Sequence, residues 1–279
     1  MGRQIWARLN KYQDQDIQKD IKSFFQDEHH WAYQYGGPSK CRVNSPYHRK
    51  QIEVLFEERY PHWATHRNVD FLIKEGFLKG KDEGIAKFVY RSDVRYILRE
   101  INKRKKIIQR YSDTGFDRAI GRHAETLFSY MLRLNDFKIV KRHTNKYKGR
   151  QWQETKHDLD FIIEKDGITY GVEVKNTLPY VEKEEFDIKL KMCGYLDIVP
   201  LWILRNAPGA QFEQIKAVNG FILKFKSWIF PLGQEPLARE IWDLMRIPVA
   251  IWEEAPKKLE NVFLRQHCLR ISQKGLKKL

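Results

Sequence analysis

Residues 157–175 read HDLDFIIEKDGITYGVEVK, and the Asp166-Gly167 pair at their centre decides how the second half of the chain folds. Apolar, β-rich runs flank the pair. Asp-Gly in that setting signals a two-residue hairpin loop, because glycine accepts the positive φ of a type I′ turn. Lys165 then faces Ile168, Asp160 faces Glu173 and Asp158 faces Lys175. Side chains alternate along a strand, so Asp158, Asp160, Glu173 and Lys175 are expected on one face, with Leu159, Phe161, Val172 and Val174 on the other. Three carboxylates and an amine thus converge within strands made mostly of Ile, Val, Phe and Tyr, where a charge is costly unless paired or bound to metal.

Facing carboxylates repel unless a cation lies between them, and a hard divalent ion such as Mg²⁺ is the simplest resolution. The lysine can then pair with a carboxylate, orient an attacking water or stabilise a phosphorane-like transition state. Together these are the parts needed for phosphodiester hydrolysis. A structural ion-pair ladder on an exposed sheet face is the plainer alternative.

Asp160, twelve intervening residues and then Glu173-Val174-Lys175 resembles the signature of the PD-(D/E)XK nuclease superfamily, with Leu159 where the family name has Pro. The context of the resemblance covers roughly residues 115–206. Phe116 to Leu134 has Ile120, Ala124, Leu127, Phe128, Met131 and Leu132 at the spacing of a one-faced helix, and carries Glu125. A strand is expected at Phe137 to Val140, a crossover helix at Glu182 to Tyr195, and a parallel strand at Ile198 to Leu204. The resemblance implies an α/β fold with a restriction endonuclease-like αβββαβ core and a mixed sheet. It also implies Asp160 and Glu173 as metal ligands, the Val174 carbonyl as a further ligand, Glu125 as an outer or water-mediated ligand, and Lys175 on the water or scissile phosphate. The implied cofactor is Mg²⁺, with Mn²⁺ able to substitute. Lys189 or Lys191 could face this site as well, although a solvated helix face is the simpler expectation.

The chain has 279 residues, 42% of them hydrophobic, and a formal net charge of +15, enough for one large domain or two smaller ones. A sequence pI of 9.6 favours polyanions through counterion release, so nucleic acid outranks acidic protein or membrane surfaces as partner. Cys41, Cys193 and Cys268 lie far apart, which argues against a zinc site or disulfide framework. The charged N-terminus and the lack of a long apolar run predict a cytoplasmic protein with no membrane span.

In the N-terminal half, Ile17, Ile21, Phe24 and Phe25 have helical spacing, and Gly36-Gly37-Pro38 is expected to end that helix. Ser45-Pro46 reads as the start of a second helix carrying Ile52, Leu55 and Phe56 inward, and Pro61 ends it. Thr65 is expected to cap a third, with Val69, Leu72 and Ile73 inward and closure at Gly76. Phe77 to Tyr90 then reads as a hairpin. This order resembles a winged helix. The resemblance places His66, Arg67, Asn68 and Lys74 toward the major groove and Lys79, Lys81 and Lys87 on phosphates; a protein-protein role is the alternative.

Ser92 is expected to cap a connecting helix with Val94, Ile97, Leu98, Ile101 and Ile108 inward and a basic run from Lys103 to Lys106. The basic stretch from Asn145 to Glu154 could track a nucleic-acid backbone, with Trp152 stacked on a base or simply packed. Phe221 to Phe230, a helix from Glu235 to Met245 and a strand from Val249 to Trp252 read as an extension of the sheet and its cover. His29-His30 reads as surface, His157 as packed or solvated, and Lys274 to Leu279 as a basic tail.

The expected organisation is residues 1–114 as a mainly helical winged-helix-like DNA-binding domain and 115–279 as the nuclease domain. The expected function is Mg²⁺-dependent hydrolysis of double-stranded DNA by Asp160, Glu173 and Lys175, sequence-directed in the manner of a restriction enzyme. A structure-specific nuclease such as a Holliday junction resolvase or repair nuclease, and a non-catalytic winged-helix regulator, are the alternatives. Cutting both strands calls for two active sites, hence a homodimer on DNA.

Overall fold

The structure, a computed structural model, describes residues 13–26 and 44–276. The chain divides into two compact units: the described residues through 117 together with 235–249, and residues 118–234 together with 250–276. Where the sequence suggests one crossing after residue 114, the chain returns to the first unit near its end. The helix Glu235–Met245 lies there, not over the sheet of the second half. It buries Leu237, Ile241 and Met245. The buried Gln51 amide donates to the Met245 carbonyl at 2.6 Å, and Arg110 pairs with Glu240 at 2.7 Å.

The first unit runs α1 (Asp14–Gln26), β1 (Tyr47–His48), α2 (Arg49–Phe56), α3 (His62–Lys74), β2 (Leu78–Asp82), β3 (Lys87–Arg91) and α4 (Leu98–Tyr111). The strands form an antiparallel sheet in the order β1-β3-β2. Ile17, Ile21, Phe24, Phe25, Ile52, Phe56, Val69 and Leu72 share one core. His29-His30, the Gly36-Gly37-Pro38 break and Cys41 lie outside the described residues.

Three helix starts differ from expectation. Ser45-Pro46 precedes β1, and α2 begins only at Arg49, where the Gln51 side chain accepts the His48 N–H at 3.2 Å. Ser45 is buried, and its hydroxyl accepts from Arg104 at 2.9 Å. Helix α3 begins at His62, because the extended backbone of Pro61 already suits the residue ahead of the first turn; Thr65 is buried within the helix. Helix α4 begins at Leu98, six residues beyond Ser92, with Leu98 exposed and Arg104 of the basic run buried.

In the second unit, α5 (Thr114–Leu134) starts where the Asp113 carboxylate accepts the N–H groups of Gly115 and Phe116 at 2.9 and 3.1 Å. Then come β4 (Lys138–Thr144), β5 (Leu159–Lys165), β6 (Ile168–Lys175), α6 (Lys183–Leu196), β7 (Val199–Leu204), α7 (Gly209–Ala217), β8 (Phe221–Lys224) and α8 (Lys257–Leu276). The five strands order as β8-β7-β6-β5-β4, antiparallel from β4 to β6 and parallel from β6 to β8, a mixed sheet.

Asp166 and Gly167 have φ of 52° and 69°, as a type I′ turn requires, and Lys165 pairs with Ile168. Residues of α5 and Phe263 of α8 cover one sheet face, where Ala124, Phe128, Phe161, Val172 and Leu201 pack together. Met192 and Phe186 of α6 and Ile215 of α7 pack on the other. Trp152 is buried in that second layer beside Tyr147 and Leu159, so its fate is packing. Helices α7 and α8 were not read from the sequence. Helix α8 is pinned by its buried His267, whose ring nitrogens lie 2.9 Å from the Tyr170 hydroxyl and 3.0 Å from the Asp166 carboxylate. Among the described residues no helix is long and apolar enough to cross a membrane.

Helix α6 packs tightly on the sheet at Gly171. A Cβ there would lie 2.8 Å from the Cys193 sulfur and 2.9 Å from methyls of both Leu159 and Ile198. Gly171→Ala is therefore expected to lower unfolding stability by about 1–3 kcal/mol, an overpacking cost measurable by denaturant unfolding.

Candidate active site

The hydrogen-bonded register of the β5–β6 hairpin runs from Lys165–Ile168 to Phe161–Val172 and stops, although both strands continue. Beyond it, the Val174 N–H donates to the Asp160 carboxylate at 2.7 Å. A side chain has replaced the ladder, and face alternation breaks with it. Leu159, expected beside Phe161, packs instead with Met192 and Cys193 under α6. Asp158, expected among the converging carboxylates, lies before β5 and is exposed; it contributes its backbone carbonyl, which accepts from the Lys189 ammonium.

Glu173 is buried at 2% exposure on β6 and is flanked by two ammoniums, Lys189 at 2.7 Å and Lys175 at 3.2 Å. Lys175 also reaches Glu185, on the first turn of α6, at 2.7 Å. Lys189 corrects the expectation of a solvated helix face: it is buried, whereas Lys191 is exposed. Burial first, and then the neighbouring Asp160 charge, push the Glu173 carboxyl up to about 7 despite both lysines. Burial likewise raises Asp160 to about 6, with Glu125 adding to it and the Val174 N–H opposing it. For Lys175, burial pulls the ammonium down, but Glu173 and Glu185 outweigh it and hold it above its ordinary value, so it stays charged at neutral pH.

On the other side of Asp160 lie Glu125, half-buried on α5, and His143, exposed on β4. One ligand atom from each of Glu125, His143 and Asp160 falls within 4.8 Å of the others. His143 was not singled out from the sequence. The signal that would find it is the β4–β5 register, in which Arg142 faces Phe161 and Thr144 faces Leu159, leaving His143 across from Asp160. Carboxylate and imidazole at this spacing fit a divalent cation, whose ligand bonds are about 2.0–2.3 Å. Glu173 differs in having its carboxylate already matched by two ammoniums.

In the first unit, the residues expected on nucleic acid divide. Asn68 is buried, its amide held between Asp14 at 2.9 Å and the Ala64 carbonyl at 3.0 Å, and it faces the core. Lys74 and Lys79 are exposed. His66 is half-exposed but lies 2.9 Å from buried Glu53, and Arg67 pairs with Asp14 at 2.5 Å. Lys81 pairs with Glu83 at 2.7 Å and Lys87 lies 3.9 Å from Asp82. Comparison with protein-family models and with curated proteins finds no match.

The raised Asp160 carboxyl has a consequence for stability. Below its unfolded value of 3.8 it is protonated in both states and costs nothing. As pH rises through about 6 the folded protein must hold a disfavoured charge, and the full cost is present above that. In EDTA at pH 8, Asp160→Asn is therefore expected to be more stable than the parent by about 1–3 kcal/mol, and at pH 4 by little or nothing. Thermal or denaturant unfolding at the two pH values measures the difference.

Proposed function

We propose that this protein is a divalent-metal-dependent DNA endonuclease whose second unit hydrolyses phosphodiesters and whose first unit binds the target duplex. The observation that carries the reading is the packing of Asp160, Glu173 and Lys175 into one patch at the splayed end of a hairpin. Two carboxylates are held there at raised pKa beside an ammonium kept charged. Groups of that kind cost stability and are retained where they act on a substrate.

Asp160 and Glu125 would hold a divalent cation, with the Val174 carbonyl and Glu173 as the further ligands that the nuclease resemblance implies. Such an ion, when bound, lowers the pKa of a coordinated water and shields phosphate charge. Lys175 supplies a fixed positive charge beside the reacting phosphate, and Glu185 steers its ammonium through the 2.7 Å contact. Lys189 keeps Glu173 in place from beneath, joined to the Asp158 carbonyl and the Glu173 carboxylate at once. The order of helix α5, three antiparallel strands β4 to β6, crossover helix α6 and parallel strand β7 supports a PD-(D/E)XK core.

In the first unit, the order α1-β1-α2-α3-β2-β3 supports a winged helix. A cleft of about 600 Å³ along α2, α3 and the β2–β3 tip is lined by Arg49, Lys50, Trp63, His66 and Lys87 with one acid, Glu53, a mainly basic and aromatic set suited to a nucleic-acid backbone. The net charge of +15 supports the same class of partner. A separate binding unit favours sequence-directed cutting of duplex over a structure-specific nuclease.

The test is incubation of supercoiled plasmid, linear duplex, single-stranded and four-way-junction DNA with Mg²⁺ or Mn²⁺. Discrete duplex fragments are expected, abolished by EDTA and reduced about 100-fold or more by Lys175→Ala. Cutting confined to the junction would replace the sequence-directed reading with a resolvase. Absence of metal-dependent cleavage on all four would overturn the nuclease reading.

A further inference from the structure

We propose that the His143 imidazole is a direct ligand of the catalytic cation, making this a mixed nitrogen and oxygen site that takes Mn²⁺ in preference to Mg²⁺. The inference rests on the nuclease reading of the same site and assigns the metal's identity.

The geometry comes from three separate elements. Glu125 stands on α5, His143 on β4 and Asp160 on β5, and one donor atom of each lies within 4.8 Å of the other two. His143 reaches this place through an irregularity. The β4–β5 register shifts by one residue between Ile139 and Lys141. Continued without that shift, the pairing of Lys138 with Glu164 and Ile139 with Ile163 would set Arg142 across from Asp160; with it, His143 is there. A bulge beside a functional site re-aims a side chain in this way. The backbone of His143 itself is left-handed, with φ of 42°.

Charge balance within the site points the same way. Glu173 is matched by two lysine ammoniums. Asp160 has the Val174 N–H, and among the described residues neither it nor Glu125 has a lysine or arginine within ion-pair distance. Among the described residues the one basic group within ion-pair distance of Glu125 is His143, its Nε2 3.9 Å from the carboxylate. Two adjacent carboxylates facing an imidazole form a donor set for one cation. Mg²⁺ prefers an all-oxygen shell and dehydrates reluctantly, whereas divalent first-row transition ions, Mn²⁺ among them, bind mixed nitrogen and oxygen donor sets.

Mn²⁺ binding to the full-length protein by calorimetry and electron paramagnetic resonance, with Mg²⁺ as competitor, tests this on the parent, His143→Ala and Asp160→Asn. The parent is expected to bind Mn²⁺ at least tenfold more tightly than Mg²⁺, with nitrogen modulation from a directly bonded imidazole in the pulsed spectrum. His143→Ala is expected to lose that modulation and about tenfold or more of its Mn²⁺ affinity, with Mg²⁺ affinity changed far less. Asp160→Asn is expected to weaken both ions. Unchanged Mn²⁺ affinity and spectrum in His143→Ala, while Asp160→Asn binds poorly, would overturn the histidine ligand and leave the nuclease reading standing. Failure of the parent to bind either ion at millimolar concentration would overturn both.

Discussion

The second unit turns on one hydrogen bond, in which the Val174 N–H donates to the Asp160 carboxylate in place of a backbone carbonyl of the facing strand. A central hairpin would ordinarily continue its ladder, because each buried backbone group needs a partner. Here a carboxylate fills that role, the strands part beyond Phe161 and Val172, and the space so opened is lined by charge. Leu159 turns toward α6 and helps close the layer beneath, while Asp158 is left at the surface with its carbonyl turned to Lys189.

Opening a sheet this way places charges in poor solvent, and the surroundings show how they are tolerated. Glu173 keeps two ammoniums, one from its own strand and one from α6, and Lys175 keeps a second acid in Glu185. That network is nearly balanced in itself. Asp160 and Glu125 lie at its edge, where burial, with the Glu125 charge adding to it, pushes the Asp160 carboxyl up to about 6. A buried network of this kind is weak evidence for stability, because well-packed apolar residues of similar volume would serve as well or better. Its arrangement fits the proposed role, action on a substrate that carries its own charge.

How much of this was legible depended on whether the signal was local. Asp166-Gly167 stated the hairpin outright, and the spacing of Ile120, Ala124, Leu127, Phe128, Met131 and Leu132 stated the buried face of α5. Lys189 was readable in principle, since Phe186, Lys189, Met192 and Leu196 fall on one helical stripe, but a lysine on an apolar stripe invites a solvent reading. His143 was hidden because a one-residue slip in β4 changes which side chain faces Asp160, and nothing in Lys138 to Thr144 announces the slip. Helix α8 has almost no amphipathic pattern, and Asn68 looked like an outward residue on a polar turn of α3 although it lies inside, bonded to Asp14. Each miss involves a contact between elements distant in sequence, where periodicity is silent.

Asp160 is proposed to serve a reaction on DNA through its charge, whereas the Val174 contact needs only an acceptor oxygen, which asparagine keeps. Single-turnover scission and duplex binding, measured side by side on the parent and Asp160→Asn, test it most directly. Duplex affinity within a few-fold of the parent, with scission slowed about 100- to 1000-fold or more, is expected. Equal scission by the two proteins would contradict it, as would loss of binding in step with scission.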